Sequence, residues 1–136
     1  MTTLTGACHC GAITARFETD DPVALPVRAC QCGFCRRHGA RTVSDPAGRL
    51  RLAFAEPAAR RYRFGTESAD FLICAGCGDY MAAVMDGVAV LNVVAADMPE
   101  FAGRAPQPMV YDTETLEEKR ARRLARWTPV TLEVRP

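Results

Sequence analysis

Ile13, Ala15 and Phe17 alternate with Thr14, Arg16 and Glu18, and Leu50, Leu52 and Phe54 repeat the alternation against Arg49, Arg51 and Ala53. A period of two puts the two sets on opposite sides of an extended chain, so both segments predict strands with one buried face. Tyr62 and Phe64, set between arginines, give a shorter third strand, and Phe71 to Cys74 a fourth. Tyr80 to Ala95 predicts a hairpin, because its two apolar, valine-rich arms meet at Asp86-Gly87, a pair that readily takes the positive φ angles of a type I′ turn. Val130 to Val134 alternates once more, as a closing edge strand would. Pro22, Pro26, Pro46 and Pro57 argue against long helices in the first half, since each removes a backbone donor.

The pattern becomes helical from Thr113 to Arg126. Thr115 and Glu118 fit a capping box, acids crowd the first turn, and Lys119, Arg120, Arg122, Arg123 and Arg126 follow toward the end, where they complement the helix dipole. Leu116 and Leu124, with the Lys119 stem, Arg120 and Ala121 between them, make a thin apolar stripe, so this helix is expected to pack by one narrow edge with its basic half solvated. The whole reads as mainly β with a short C-terminal helix.

At 136 residues one domain spanning residues 1–136 is expected. The composition, 49% hydrophobic and 24% charged, is that of a soluble globular protein, and no apolar run approaches the ~18 residues of a membrane span. Net charge +1 conceals an uneven distribution. Residues 28 to 63 hold nine arginines against Asp45 and Glu56, whereas residues 67 to 118 hold ten acids and only Arg104 as an arginine. A basic face of this kind attracts an acidic small molecule, a nucleic acid or water. No aromatic ladder or nucleic-acid motif accompanies the arginines, so nucleic acid is not the expected partner.

The candidate chemistry lies in seven cysteines in three groups: Cys8 and Cys10; Cys30, Cys32 and Cys35; Cys74 and Cys77. An odd count leaves one thiol outside any disulfide framework, and no stretch resembles a secretory signal, so reduced thiols in a cytoplasmic protein are expected. A structural zinc takes four protein ligands, and a zinc that does chemistry keeps three and an open position. The outer groups thus predict a closed zinc site from Cys8, Cys10, Cys74 and Cys77, and the middle group an open one from Cys30, Cys32 and Cys35. Gly11 and Gly78, each directly after a ligating pair, suit the turn that aims amide N–H groups at sulfur. Two alternatives stand for the middle group: His38 closing it as a fourth ligand, or Cys32 and Cys35 acting as a redox pair. His9, between two ligands, is read as a surface or hydrogen-bonded residue. Arg36 and Arg37 directly follow the open group, where they could bind a carboxylate on a ligand.

Three motifs carry a family likeness: Gly6-Ala7-Cys8-His9-Cys10-Gly11-Ala12-Ile13, the run from Cys30 through Cys35-Arg36-Arg37-His38-Gly39-Ala40, and Phe71-Leu72-Ile73-Cys74-Ala75-Gly76-Cys77-Gly78. The chain resembles the glutathione-dependent formaldehyde-activating enzyme family, which includes centromere protein V, over residues 6 to about 97. The resemblance implies a zinc-stabilised β-tent fold and a carbon–sulfur lyase that adds glutathione to formaldehyde, giving S-(hydroxymethyl)glutathione. It also implies that Cys8, Cys10, Cys74 and Cys77 hold a structural zinc, and that the thiol binds near the zinc on the catalytic trio Cys30, Cys32 and Cys35. Gln31 and Gly33 stand where the family motif usually carries histidine and serine, and the C-terminal third carries an arginine-rich helix where a histidine would be expected. The expected function is therefore lyase-like, with a small thiol and an aldehyde as partners. The competing one is a non-catalytic zinc-built binding module whose arginine face engages nucleic acid or an acidic protein.

Overall fold

The computed structural model describes residues 1–136. In chain order its elements are β1 (Thr2–Ala7), β2 (Thr14–Thr19), β3 (Arg28–Cys30), α1 (Gly33–His38), β4 (Thr42–Val43), β5 (Arg49–Ala55) and β6 (Ala59–Tyr62). They continue as β7 (Asp70–Cys74), β8 (Tyr80–Met85), β9 (Val88–Asn92), β10 (Gln107–Met109), α2 (Leu116–Arg126) and β11 (Thr128–Arg135).

Alternation along β2 and β5 decides where the core sits. Ala15, Phe17, Leu50, Leu52 and Phe54 are buried, while Thr14, Arg16, Arg49 and Arg51 face solvent, so one side of the β1-β2-β5-β11 layer is apolar. That side packs on Leu72, Met81, Ala82 and Leu91 of a second layer, ordered β6-β7-β8-β9-β4-β3-β10. β11 is the seam. Its first residues, Thr128 and Pro129, pair antiparallel with Ala89 and Val88, and from Val130 it runs parallel to β5 in register with Leu50. The expected closing strand is therefore present, but it joins the layers as well as ending one. The result is mainly β, with a tent-like pair of sheets and a short C-terminal helix.

The hairpin forms as its turn residues dictate, with φ of 45° at Asp86 and 80° at Gly87. Its second arm stops at Asn92, short of Ala95, because the chain there turns back on itself through the Ala96 N–H donating to the Asn92 carbonyl. The third expected strand ends at Tyr62 and leaves Phe64 outside, although the Phe64 ring packs 5.2 Å from that of Phe34. A second, smaller core gathers Cys35, Phe71, Tyr80, Met85 and Trp127.

In α2 the capping box is complete: Thr115 Oγ1 accepts from the Glu118 N–H, and Glu118 Oε1 from the Thr115 N–H. The packing edge is not the apolar stripe. Leu116 and Leu124 are 47% and 51% exposed, whereas Arg123 is only 7% exposed. Arg123 and Trp127 are four residues apart on one face, the guanidinium lies 4.9 Å from the Trp127 ring, and this pair docks the helix on the smaller core. Neither helix is long and apolar enough to cross a membrane.

Candidate functional site

Turns between strands bring the outer cysteines together. Cys8 and Cys10 lie in the turn from β1 to β2, and Cys74 and Cys77 in the turn from β7 to β8. Gly11 and Gly78 take φ of 82° and 81°, and their N–H groups close the two turns onto the carbonyls of Cys8 and Cys74. The four sulfurs lie within 4.8 Å of one another, with Cys8 and Cys10 at 3.8 Å and Cys10 and Cys74 at 3.5 Å. Four thiolates at tetrahedral corners about 2.3 Å from a zinc would stand about 3.8 Å apart, so the donor set fits that ion. Amide donors reach the sulfurs, as with Ile13 N–H to Cys8 Sγ at 3.3 Å. Burial nevertheless pushes the Cys8 thiol up to about 11. Burial acts the same way on Cys74, but the N–H groups of Cys77 and Gly76 outweigh it and bring that thiol down to about 7.

Cys30 ends β3, Cys32 caps α1 and Cys35 sits in its first turn, where its N–H donates to Cys32 Sγ at 3.3 Å. These three sulfurs also lie within 4.8 Å of one another. Shared protons divide them. Hydrogen bonds from the Cys30 and Cys35 thiols hold Cys32 down to about 2, while contacts with Cys30 and then Cys32, together with burial, drive Cys35 well above the thiol range. Three sulfurs this close can all ionise only around a cation, which makes the set suitable for a metal.

His38 is not a fourth donor. Its ring packs on Phe34, with centroids 4.5 Å apart, and edge-on to Tyr80. All seven cysteines are free, so neither a disulfide framework nor a Cys32–Cys35 disulfide is present. His9 is exposed and donates its backbone N–H to Asp79 at 2.8 Å. Arg36 and Arg37 are exposed too, and their side chains bond the carbonyls of Gln31 and Gly33. The structure does not bring either arginine into a cavity beside the sulfurs.

A cavity of about 320 Å³ opens against Cys32, lined on one side by Phe64, Ala69 and Phe71 and on the other by Lys119, Arg122 and Arg123. A smaller one of about 80 Å³ reaches Cys30 and Cys35 beside Tyr80, Trp127 and Arg123. Sequence reasoning missed this basic wall, because an arginine-rich helix reads as a solvated face. The one signal was the weakness of its apolar stripe. Arg122 is neutralised by a two-pronged pair with Glu114 at 2.9 and 3.0 Å and stacks 3.6 Å from the Tyr111 ring. The arginine surplus of residues 28 to 63 is partly cancelled as well, by Arg61 and Arg63 on Asp70 and Arg51 on Glu133.

Comparison with known proteins agrees with this architecture. A protein of Rhodobacter sphaeroides, known from its crystal structure, is 30% identical and superposes with a TM-score of 0.55 over 76% of this chain and 99% of its own. Residues 3–112 match the family model described as glutathione-dependent formaldehyde-activating enzyme, which takes in all seven cysteines and stops just short of α2. The chain belongs to the glutathione-dependent formaldehyde-activating enzyme family.

Proposed function

We propose that this protein is a zinc-dependent lyase-type enzyme that joins a small thiol, glutathione or a relative, to an aldehyde such as formaldehyde. The observation that carries the reading is a set of three thiols, Cys30, Cys32 and Cys35, with no fourth protein donor and with Cys32 at the wall of a 320 Å³ cavity. Zinc held there would supply the Lewis acidity that ionises an incoming thiol near neutral pH. Cys8, Cys10, Cys74 and Cys77 hold a second, structural zinc.

The chain's own residues supply the surroundings. Phe71, Tyr80 and Trp127 exclude water from the inner end of the site, and with Arg122 spent on Glu114, Lys119 and Arg123 outnumber Asp112 along the outer wall. The addition needs no oxidant: a carbon–sulfur bond forms, and the thiol proton ends on the former carbonyl oxygen. Seven free thiols suit a reducing cytoplasm.

Zinc-loaded protein mixed with glutathione and formaldehyde should form S-(hydroxymethyl)glutathione faster than buffer does. Loss of a partner to a metal ligand commonly costs ~10- to 100-fold in activity, so Cys35→Ser, which removes a ligand, should cost about a hundredfold or more. Equal rates for wild type and Cys35→Ser would remove the catalytic reading.

A further inference from the structure

Arg123 is a buried cation with no anion in salt-bridge contact. It is 7% exposed, forms no salt bridge, and only its Nη1 has partners, both uncharged: Ser68 Oγ at 2.7 Å and Met85 Sδ at 3.7 Å. Its Nε is fully buried and has no hydrogen-bond partner. Burial, reinforced by neighbouring Arg122, pulls its pKa down to about 10, and the more distant Glu114, Tyr80 and Cys30 offset only part of that cost. The adjacent arginine shows what is missing. Arg122 fills its Nε–Nη2 edge with the Glu114 carboxylate, and the corresponding edge of Arg123 is bare. Arg123 lines both cavities, so it shares one with Cys32 and the other with Cys30 and Cys35. It also lies beyond residues 3–112, in the part of the chain that the family model does not describe.

We propose that Arg123 anchors a carboxylate of the ligand that fills the cavity beside Cys32, which makes acid-bearing thiols the preferred class of ligand. The inference rests on the function proposed above and adds its specificity-determining residue. A carboxylate that meets the guanidinium where Arg123 lines the cavity relieves the unpaired charge and fixes the ligand's far end while its sulfur meets the cysteines. Neutral thiols gain only the second contact.

Calorimetric titration of zinc-loaded wild type, Arg123→Met and Arg123→Lys with 3-mercaptopropionate, 2-mercaptoethanol and 3-(methylthio)propionate tests this. Wild type should prefer 3-mercaptopropionate over 2-mercaptoethanol by about tenfold or more. Arg123→Met should abolish the preference by weakening 3-mercaptopropionate far more than 2-mercaptoethanol, and Arg123→Lys should keep part of it. Circular dichroism checks that the variants fold, and the lysine variant carries the comparison if the methionine one does not. A preference that survives in Arg123→Met overturns the proposal. So does parallel weakening of both thiols with loss of zinc, which would mean that Arg123 only balances the charge of the cysteine thiolates. Arg123-dependent binding of 3-(methylthio)propionate as tight as that of 3-mercaptopropionate, with no binding of 2-mercaptoethanol, would keep the anchor and overturn the thiol function instead. Absence of binding by all three probes overturns the anchor.

Discussion

Cys74→Ser is expected to leave no soluble, folded protein. Cys74 ends β7 in the second sheet, and its sulfur lies 3.5 Å from that of Cys10, 64 residues earlier in a turn of the first sheet. A metal held by Cys8, Cys10, Cys74 and Cys77 therefore ties one layer of the fold to the other at the end where their turns meet. A serine hydroxyl does not ionise at neutral pH as a metal-bound thiol does, so the variant offers three donors and loses most of its grip. Structural zinc sites of this kind hold their ion with ~10 to 16 kcal/mol of apparent free energy. Whole domains are stable by only ~5 to 15 kcal/mol. The loss is thus of the same size as the stability it acts on. Soluble yield, far-UV circular dichroism and zinc per chain check the outcome, and a folded, zinc-replete Cys74→Ser monomer would show that the four sulfurs do not share an ion. Chelation of the wild type should produce the same collapse.

Cys35→Ser should behave otherwise and fold. The middle sulfurs lie close together in sequence, and the strand and helix that carry them are held independently, by Gln31 N–H on the Met109 carbonyl at 2.8 Å and by the αL cap at Gly39. Losing one sulfur there opens a local site, whereas losing Cys74 separates distant parts of the chain.

Both sulfur sets were legible in the sequence because ligand spacing is a local property. Two or three residues of separation put both sulfurs of a turn on one side, and glycine directly after each outer pair marks the turn itself. The longer strands were legible for a similar reason, since five to seven residues of alternation at Leu50, Leu52 and Phe54 already fix which face is buried. β1 was not, because Leu4 is its one fully buried side chain among threonines. β3, β4 and β10 have three, two and three residues, too few for any period to show. The basic wall of the cavity was hidden by an ambiguity that no local pattern resolves: a charged residue on an amphipathic helix reads as solvated until tertiary packing turns it inward. Arg123 is that case, and the leucines that should have faced the core are the ones in water.

Asn92 was equally silent in the sequence, as the polar residue at the end of a valine-rich arm, and its replacement should be the most damaging change away from the cysteines. Its side chain is 1% exposed and satisfies three backbone groups from three segments. Nδ2 donates to the Tyr80 carbonyl at 2.9 Å, and Oδ1 accepts from the N–H of Arg41 at 3.1 Å and of Val94 at 3.3 Å. Tyr80 begins β8 and lines the inner cavity, while Arg41 follows directly on the exit of α1, the helix that carries Cys35. One amide therefore fixes the distance between the wall of the site and the helix bearing its ligand. Asn92→Ala leaves these groups unpaired in a dry interior, at ~1 to 3 kcal/mol for each buried orphan less what the local chain recovers by shifting. A net loss of about 3 to 5 kcal/mol is expected, read as a lower urea midpoint at unchanged slope. Asn92→Asp should be no milder at neutral pH, because it keeps the acceptor, loses the donor to Tyr80 and buries a charge. Zinc should leave the Cys30, Cys32 and Cys35 set of either variant at lower chelator concentration than it leaves the outer four. A stability loss below about 1 kcal/mol in Asn92→Ala would mean that water takes over the three bonds, and the cavity wall would then be held by its aromatic packing alone.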